Sequence, residues 1–229
     1  MGINGKAIYS ATEFAAHSVP GHMWMELFQG PHVSTDCAVV AGRAVWFRHA
    51  EGMRWHEGMF KHWVIYAKPL LELEDFLRHW VEKHMAGYTG MMNFETIGGH
   101  IIEAHLRFAD QWVDLYGVGW VHALVNLYAE GKWTFKPGNE VEGYSIPLFA
   151  KPHARLLQPP AQVQAEIRCL PHVRSLQITF HEMKDVSQHP MPPGGFRLGI
   201  INADVLQAGF FARRKLAEAF AGIEIMLPE

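Results

Sequence analysis

The stretch NFETIGGHIIEAHLR, Asn93 to Arg107, sets Glu95, Glu103, His105 and Arg107 around two glycines in otherwise apolar surroundings. Carboxylates and an imidazole are ligands for divalent cations, and a guanidinium beside them suits the oxygens of a phosphate. Whether these side chains meet depends on register, because successive strand residues face opposite sides and a slip of one residue exchanges the faces. A two-residue Gly98-Gly99 loop opposes Ile97 to His100 and mixes charged and apolar groups on both faces. A three-residue loop, Gly98-Gly99-His100, opposes Ile97 to Ile101, Glu95 to Glu103 and Asn93 to His105. It gathers Asn93, Glu95, Glu103, His105 and Arg107 on one face. Two opposed carboxylates repel each other on an inert sheet, and a divalent cation between them reverses the sign. The plainer alternative is a solvated face on which Glu95 or Glu103 pairs with Arg107, a contact worth roughly 0 to 1 kcal/mol.

Other chemistry-bearing groups are less ordered. RHAEGMRWHEGMFKHW supplies His49, His56, Glu57 and His62 in no defined ligand spacing and reads as a long solvated loop. HEMKDVSQH lacks the HExxH spacing, Ser34, Ser145 and Ser187 have no nucleophile-elbow context, and Cys37 and Cys169 have no evident base.

The elements that must position the charged stretch follow from periodicity. KAIYS is expected as a short strand, and Ser10 followed by Glu13 opens a short helix, ATEFAAH. HMWMELFQ reads as a mostly buried strand, and HVSTDCAVV and RAVWFRH as a hairpin around Ala41-Gly42. Leu73, Phe76, Leu77, Trp80 and Val81 have helical spacing, with Gly87 placed to end the helix. Two strands follow around Gly98-Gly99, then a helix capped by Asp110 whose nearly all-round apolarity implies burial. KWTFKPGNEVEG is polar and bears Gly and Pro, marking a boundary between a module over 1–135 and a smaller one over 136–229. The latter carries strands in YSIPLFAK, RSLQITF and FRLGIIN, the loop QHPMPPGG, and a final helix with Asp204 and Gln207 as capping pair. Trp24, Trp46, Trp112 and Trp120 fall in apolar segments and are expected in the core. The fold class is α+β, an antiparallel sheet with covering helices.

Composition narrows the function classes. With 49% hydrophobic and 19% charged residues in 229, the chain buries a sizeable core. A net charge of −3, with Arg213, Arg214 and Lys215 as the longest basic run, gives no footprint for nucleic acid or an anionic membrane. Two cysteines make no disulfide framework, no apolar run approaches a membrane span, and a cytoplasmic protein is expected.

On these residues a resemblance rests. IIEAHLR resembles the E-x-N-x-R signature strand of ATP-grasp enzymes, and the preceding MNFE strand resembles the one that supplies their other acidic metal ligand. MWMELFQGPHVSTDCAVVAGRAV resembles the family's adenine hinge and following hairpin, and NGKAIYSATEF the tail of its glycine-rich loop. GGFRLGIINADVLQAGFFARRKLAEAF resembles the small module that follows the grasp in biotin carboxylase and glycinamide ribonucleotide synthetase-like members.

The resemblance implies an ATP-grasp-like sheet followed by a small C-terminal α+β module. It places ATP on Glu26, Leu27 and Gln29, with Lys6 standing in for a phosphate lysine. It makes Glu103 a bridge between Mg²⁺ or Mn²⁺ ions, puts His105 at the asparagine ligand position, and sets Arg107 against phosphate or an acyl-phosphate intermediate. The first ligand is either Asn93, by the strand's apolar pattern, or Glu95, by charge. His105 departs from the pattern, and imidazole suits Mn²⁺ or Zn²⁺ better than Mg²⁺. By the resemblance, the family's N-terminal domain and lysine-bearing lobe are expected to be missing from this sequence. The expected function is therefore that of a nucleotide- and metal-binding relative of ligases that join a carboxylate to an amine or thiol through an acyl phosphate. A protein subunit or self-association as a homo-oligomer is expected to complete the cleft. The alternative is a non-catalytic binding or assembly module on the same scaffold.

Overall fold

The computed structural model describes residues 6–55, 58–136, 138, 142–152, 156–189, 191–192 and 194–228. Its first element is α1, Ala11–His17, where the Ser10 side chain accepts from the Glu13 N–H at 3.1 Å and Glu13 accepts from the Tyr9 N–H at 2.8 Å. The capping signal in the sequence thus makes the helix it predicts, yet no residue of α1 is buried. The strand expected in KAIYS does not form, and HMWMELFQ, expected as a strand, is a largely exposed segment without regular structure. Met23 is 85% and Trp24 78% exposed, so Trp24 is not a core residue, whereas Trp46, Trp112 and Trp120 are. Apolar composition misleads there because burial needs a partner surface, which composition does not report.

Strands β1, His32–Val40, and β2, Arg43–Arg54, pair antiparallel around a tight turn with Ala41 at φ 48° and Gly42 at φ 79°. β2 runs on through most of the expected loop and pairs with β3, Phe60–Ile65. Of that loop's metal-capable residues, His56 and Glu57 lie outside the described residues. Helix α2, Leu71–His84, buries Leu77 and Val81. β4, Gly90–Ile97, and β5, His100–His105, form the next hairpin.

The single helix expected from Asp110 is two pieces. A 3₁₀ segment, Asp110–Leu115, is followed by a break at Gly117 and Gly119, both at positive φ, and then α3, Trp120–Glu130. Ala109 rather than Asp110 is the capping position, and α3 buries Trp120, Ala123 and Leu127 while exposing Val121, Val125 and Tyr128. β6, Gly143–Ala150, α4, Ala161–Arg168, β7, Val173–Ile178, β8, Phe196–Ala203, α5, Leu206–Glu218, and β9, Ile225–Met226, complete the chain. Asp204 does not cap α5; it accepts from Arg174 Nε at 2.6 Å, and the capping position is Val205.

Among the described residues the sheet has nine strands, eight of them in the order β5-β4-β1-β2-β3-β6-β8-β7, with β9 on β6 and every pairing antiparallel. The fold is α+β. The sheet crosses the polar segment near residue 136 without interruption, because Trp63 of β3 pairs with Ser145 of β6. Register assigns the two faces. On one, α2 packs over Cys37, Val39, Met92 and Phe94, and α4 and α5 pack over β6, β7 and β8. On the other, the segment from Phe108 to Phe135 packs Trp112, Tyr116 and Trp120 over Trp46, Trp63 and Met91. The charged stretch of the hairpin lies at the rim of this second face.

Candidate functional site

The β4–β5 hairpin combines the two registers that the sequence left open. Gly98 at φ 56° and Gly99 at φ 84° make a two-residue turn, so Ile97 opposes His100 and Thr96 opposes Ile101. The register then shifts, Ile102 is left as the extra residue of a β-bulge, and Glu95 opposes Glu103 while Asn93 opposes His105. The turn is therefore not the three-residue loop, and Ile97 does not oppose Ile101, yet the pairing of the charged residues is the one that loop was expected to give. A Cβ on Gly98 would lie 2.2 Å from the Gln29 carbonyl oxygen, and the Gly98 N–H donates to the Pro31 carbonyl at 3.0 Å. These contacts, with Phe28 stacked on His100 at 4.3 Å, dock the exposed segment that precedes β1 onto the tip of the hairpin.

Glu95, Glu103 and His105 each present one donor atom within 4.8 Å of the other two, and among the described residues no other three such side chains do. His105 Nε2 lies 3.2 Å from Glu103 Oε1, with the imidazole 26% and the carboxylate 55% exposed. Glu95 is more enclosed, and its Oε2 is 3.0 Å from Nε2 of His32, the first residue of β1. Burial works to raise the Glu95 pKa, but the His32 hydrogen bond, with His105 and Arg107 close by, holds the carboxyl below the usual range. Arg107 follows β5, is exposed, and donates to the Phe108 carbonyl at 3.2 Å.

Asn93 has a different role. It is 1% exposed, and its amide donates to Ser34 Oγ at 2.9 Å and Asp36 Oδ1 at 2.7 Å. Asp36 also accepts from the Ala109 N–H at 3.0 Å and from the Tyr116 hydroxyl, which in turn accepts from Trp112 Nε1 at 2.7 Å. The network pins the 3₁₀ segment to the sheet. Burial pushes the Asp36 carboxyl up to about 7, against the pull of Tyr116, Ala109, Asn93 and Arg107. Of the two first-ligand candidates, Glu95 joins Glu103 and His105, and Asn93 is turned inward.

The other candidates lie apart from this group. Lys6 Nζ contacts His17 Nε2 of α1 at 2.5 Å, and Glu26, Leu27 and Gln29 are exposed in the segment docked at the hairpin tip. His49 is buried, its ring nitrogens taken by Thr35 Oγ1 at 2.9 Å and Glu74 Oε1 at 3.1 Å. Cys37 is buried and burial pushes its thiol pKa up, which makes it inert as a nucleophile. Sequence reasoning missed His32 and Asp36. Their signal is the alternation His32, Ser34, Asp36 in HVSTD, three polar groups on one side of a strand buried along most of its length.

No family model and no curated protein matches the sequence. Solved structures do match the fold. The L-amino acid ligase from Bacillus licheniformis superposes with TM-score 0.54 at 12% identity, over 89% of this chain and 55% of that one. The phosphoribosylaminoimidazole carboxylase ATPase subunit from Aquifex aeolicus gives 0.56 at 12%, over 86% and 57%. Rhizobium etli pyruvate carboxylase gives 0.58 at 13%, over 96% of this chain and 23% of that one. The chain has an ATP-grasp-like fold and spans about 55% of the ligase and 57% of the ATPase subunit. No helix among the described residues is long and apolar enough to cross a membrane.

Proposed function

We propose that this chain is an ATP- and divalent-metal-binding protein on a ligase-derived scaffold, with Glu95, Glu103 and His105 as the metal ligands. The observation that carries the proposal is the convergence of those three side chains within 4.8 Å on one hairpin of an ATP-grasp-like fold. The donor set fits a divalent cation. Two carboxylates supply charge and hard oxygens, and the imidazole biases the set toward Mn²⁺ or Zn²⁺ relative to Mg²⁺. A cation bound there would offset the charge of nucleotide phosphates.

The chain's own residues do the rest of the binding. Arg107 is exposed two residues beyond His105, the last residue of the ligand strand, and its guanidinium suits phosphate or acyl-phosphate oxygens. Glu26, Leu27 and Gln29 lie in the segment that Phe28 docks beside His100, which supports a nucleotide path along the hairpin from its tip toward Glu103. Lys6 is the remaining candidate for phosphate contact. A partner polypeptide carrying the opposing lobe, or a second copy, belongs to the same proposal. It is supported by the apolar side chains exposed from Tyr9 to Leu27. Ligation of a carboxylate to an amine or thiol is assigned to such a completed assembly.

The second reading, a non-catalytic binding module, is favoured by the burial of Asn93 and of the sheet face beneath Trp112 and Trp120, which confines the charged groups to the rim. Calorimetry with ATP and Mn²⁺ or Mg²⁺, repeated on Glu103→Gln, tests the proposal. Saturable binding weakened at least tenfold by the substitution is expected, and no saturable binding up to millimolar ATP refutes the nucleotide reading.

A further inference from the structure

We infer that His32 is the positioning residue of this site, and that its grip on Glu95 makes the site prefer Mn²⁺ to Ca²⁺. The inference rests on the metal reading of Glu95, Glu103 and His105. His32 is not one of the three converging ligands; it holds one of them from behind.

Its imidazole is buried and meets four side chains, Phe60, Trp63, Arg54 and Glu95. Phe60 and Trp63 meet the imidazole edge-on, at centroid distances of 5.1 and 5.8 Å and interplanar angles of 86° and 84°, and the residue is 7% exposed. Arg54 Nη2 approaches Nδ1 at 3.5 Å. A guanidinium only donates, so Nδ1 is the acceptor and the ring proton sits on Nε2, which donates to Glu95 Oε2 at 3.0 Å. Arg54 thus selects the tautomer, the two aromatic rings set the ring plane, and the imidazole sets the rotation of the Glu95 carboxylate.

That bond engages Oε2 and leaves Oε1 of Glu95 for a cation. Ca²⁺ takes six to eight oxygens and favours bidentate carboxylates. A carboxylate committed to one oxygen, beside an imidazole, instead suits a smaller ion that accepts nitrogen and needs fewer ligands. Outer-shell partners of this kind orient ligands, and removing one lowers metal affinity by about 10- to 100-fold.

The test compares Mn²⁺ and Ca²⁺ affinities of the full chain by calorimetry, without nucleotide. Two variants are used: His32→Phe, which keeps the aromatic packing but cannot donate, and His32→Gln, which keeps a donor. His32→Phe is expected to lose about 10- to 100-fold for Mn²⁺ and less for Ca²⁺, so the Mn²⁺/Ca²⁺ ratio falls, while His32→Gln stays near wild type in both. Mn²⁺ binding by His32→Phe equal to wild type overturns the inference and leaves the metal reading standing. So does an equal loss for both ions that His32→Gln fails to recover. Absence of Mn²⁺ binding in the wild-type chain overturns both.

Discussion

Replacing Asp36 with Asn sets two opposing effects against each other in the buried centre behind the candidate site. The carboxylate is 1% exposed and accepts from Asn93, the Ala109 N–H and the Tyr116 hydroxyl, donors that all favour the ionised form. Burial acts in the other direction and is larger, raising the pKa from 3.8 to about 7. A carboxyl with a raised pKa binds protons more readily in the folded chain than in the unfolded one. Its contribution to stability is therefore complete below 3.8 and is lost as pH rises through 7. Linkage with those two values gives a loss of about 3 kcal/mol between pH 5 and pH 8. Urea unfolding of wild type and Asp36→Asn at several pH values in that range measures it, and the difference between the two proteins cancels groups the substitution leaves alone. The expected outcome is a wild-type advantage that shrinks with rising pH by about that amount. A difference that stays flat, or that grows with pH, refutes the reasoning, because it means that the hydrogen bonds outweigh burial and the group is ionised throughout.

Two turn positions give further tests by chemical denaturation. Ala41 sits at φ 48°, where a side chain is strained, so Ala41→Gly is expected to stabilise the β1–β2 hairpin by about 0.5–1 kcal/mol. Gly98→Ala drives a methyl group to 2.2 Å from the Gln29 carbonyl at φ 56°; it is expected to destabilise by about 1–3 kcal/mol by displacing the docked segment.

The local elements were legible in the sequence because their signals are local. The Ser10 cap, the Ala41-Gly42 turn and the spacing of Leu77 and Val81 each specify a structure without reference to the remainder of the chain. What escaped is what depends on distant partners. Nothing in GGHII distinguishes a three-residue loop from a two-residue turn followed by a bulge at Ile102, since both use the same glycines and gather the same charged face. Segment 22–29 and the outer side of α3 are rich in apolar residues yet largely exposed, because hydrophobic pattern reports amphipathicity and not whether a covering surface is present. The His32–Glu95 contact joins residues 63 apart in sequence through the β1–β4 register, which no local pattern encodes.

The opposed carboxylates of Glu95 and Glu103 raise the question of how the hairpin is stable without a cation between them, since like charges across a pair are destabilising. The structure resolves the repulsion by giving each carboxylate its own imidazole, His32 for Glu95 and His105 for Glu103. The two pairings are not equivalent. His32 is buried against Phe60 and Trp63, whereas the His105–Glu103 contact is at the surface and worth roughly 0 to 1 kcal/mol. On the proposed metal reading, a cation entering the group would replace the surface pairing of Glu103 with His105 and would leave the enclosed His32 contact to orient Glu95. A site whose free form is held together by the contact that binding replaces is preformed in geometry and loses little on binding. The bulge at Ile102 is what makes this arrangement available to a two-residue turn, because without the extra residue Glu103 and His105 fall on the other face of the sheet.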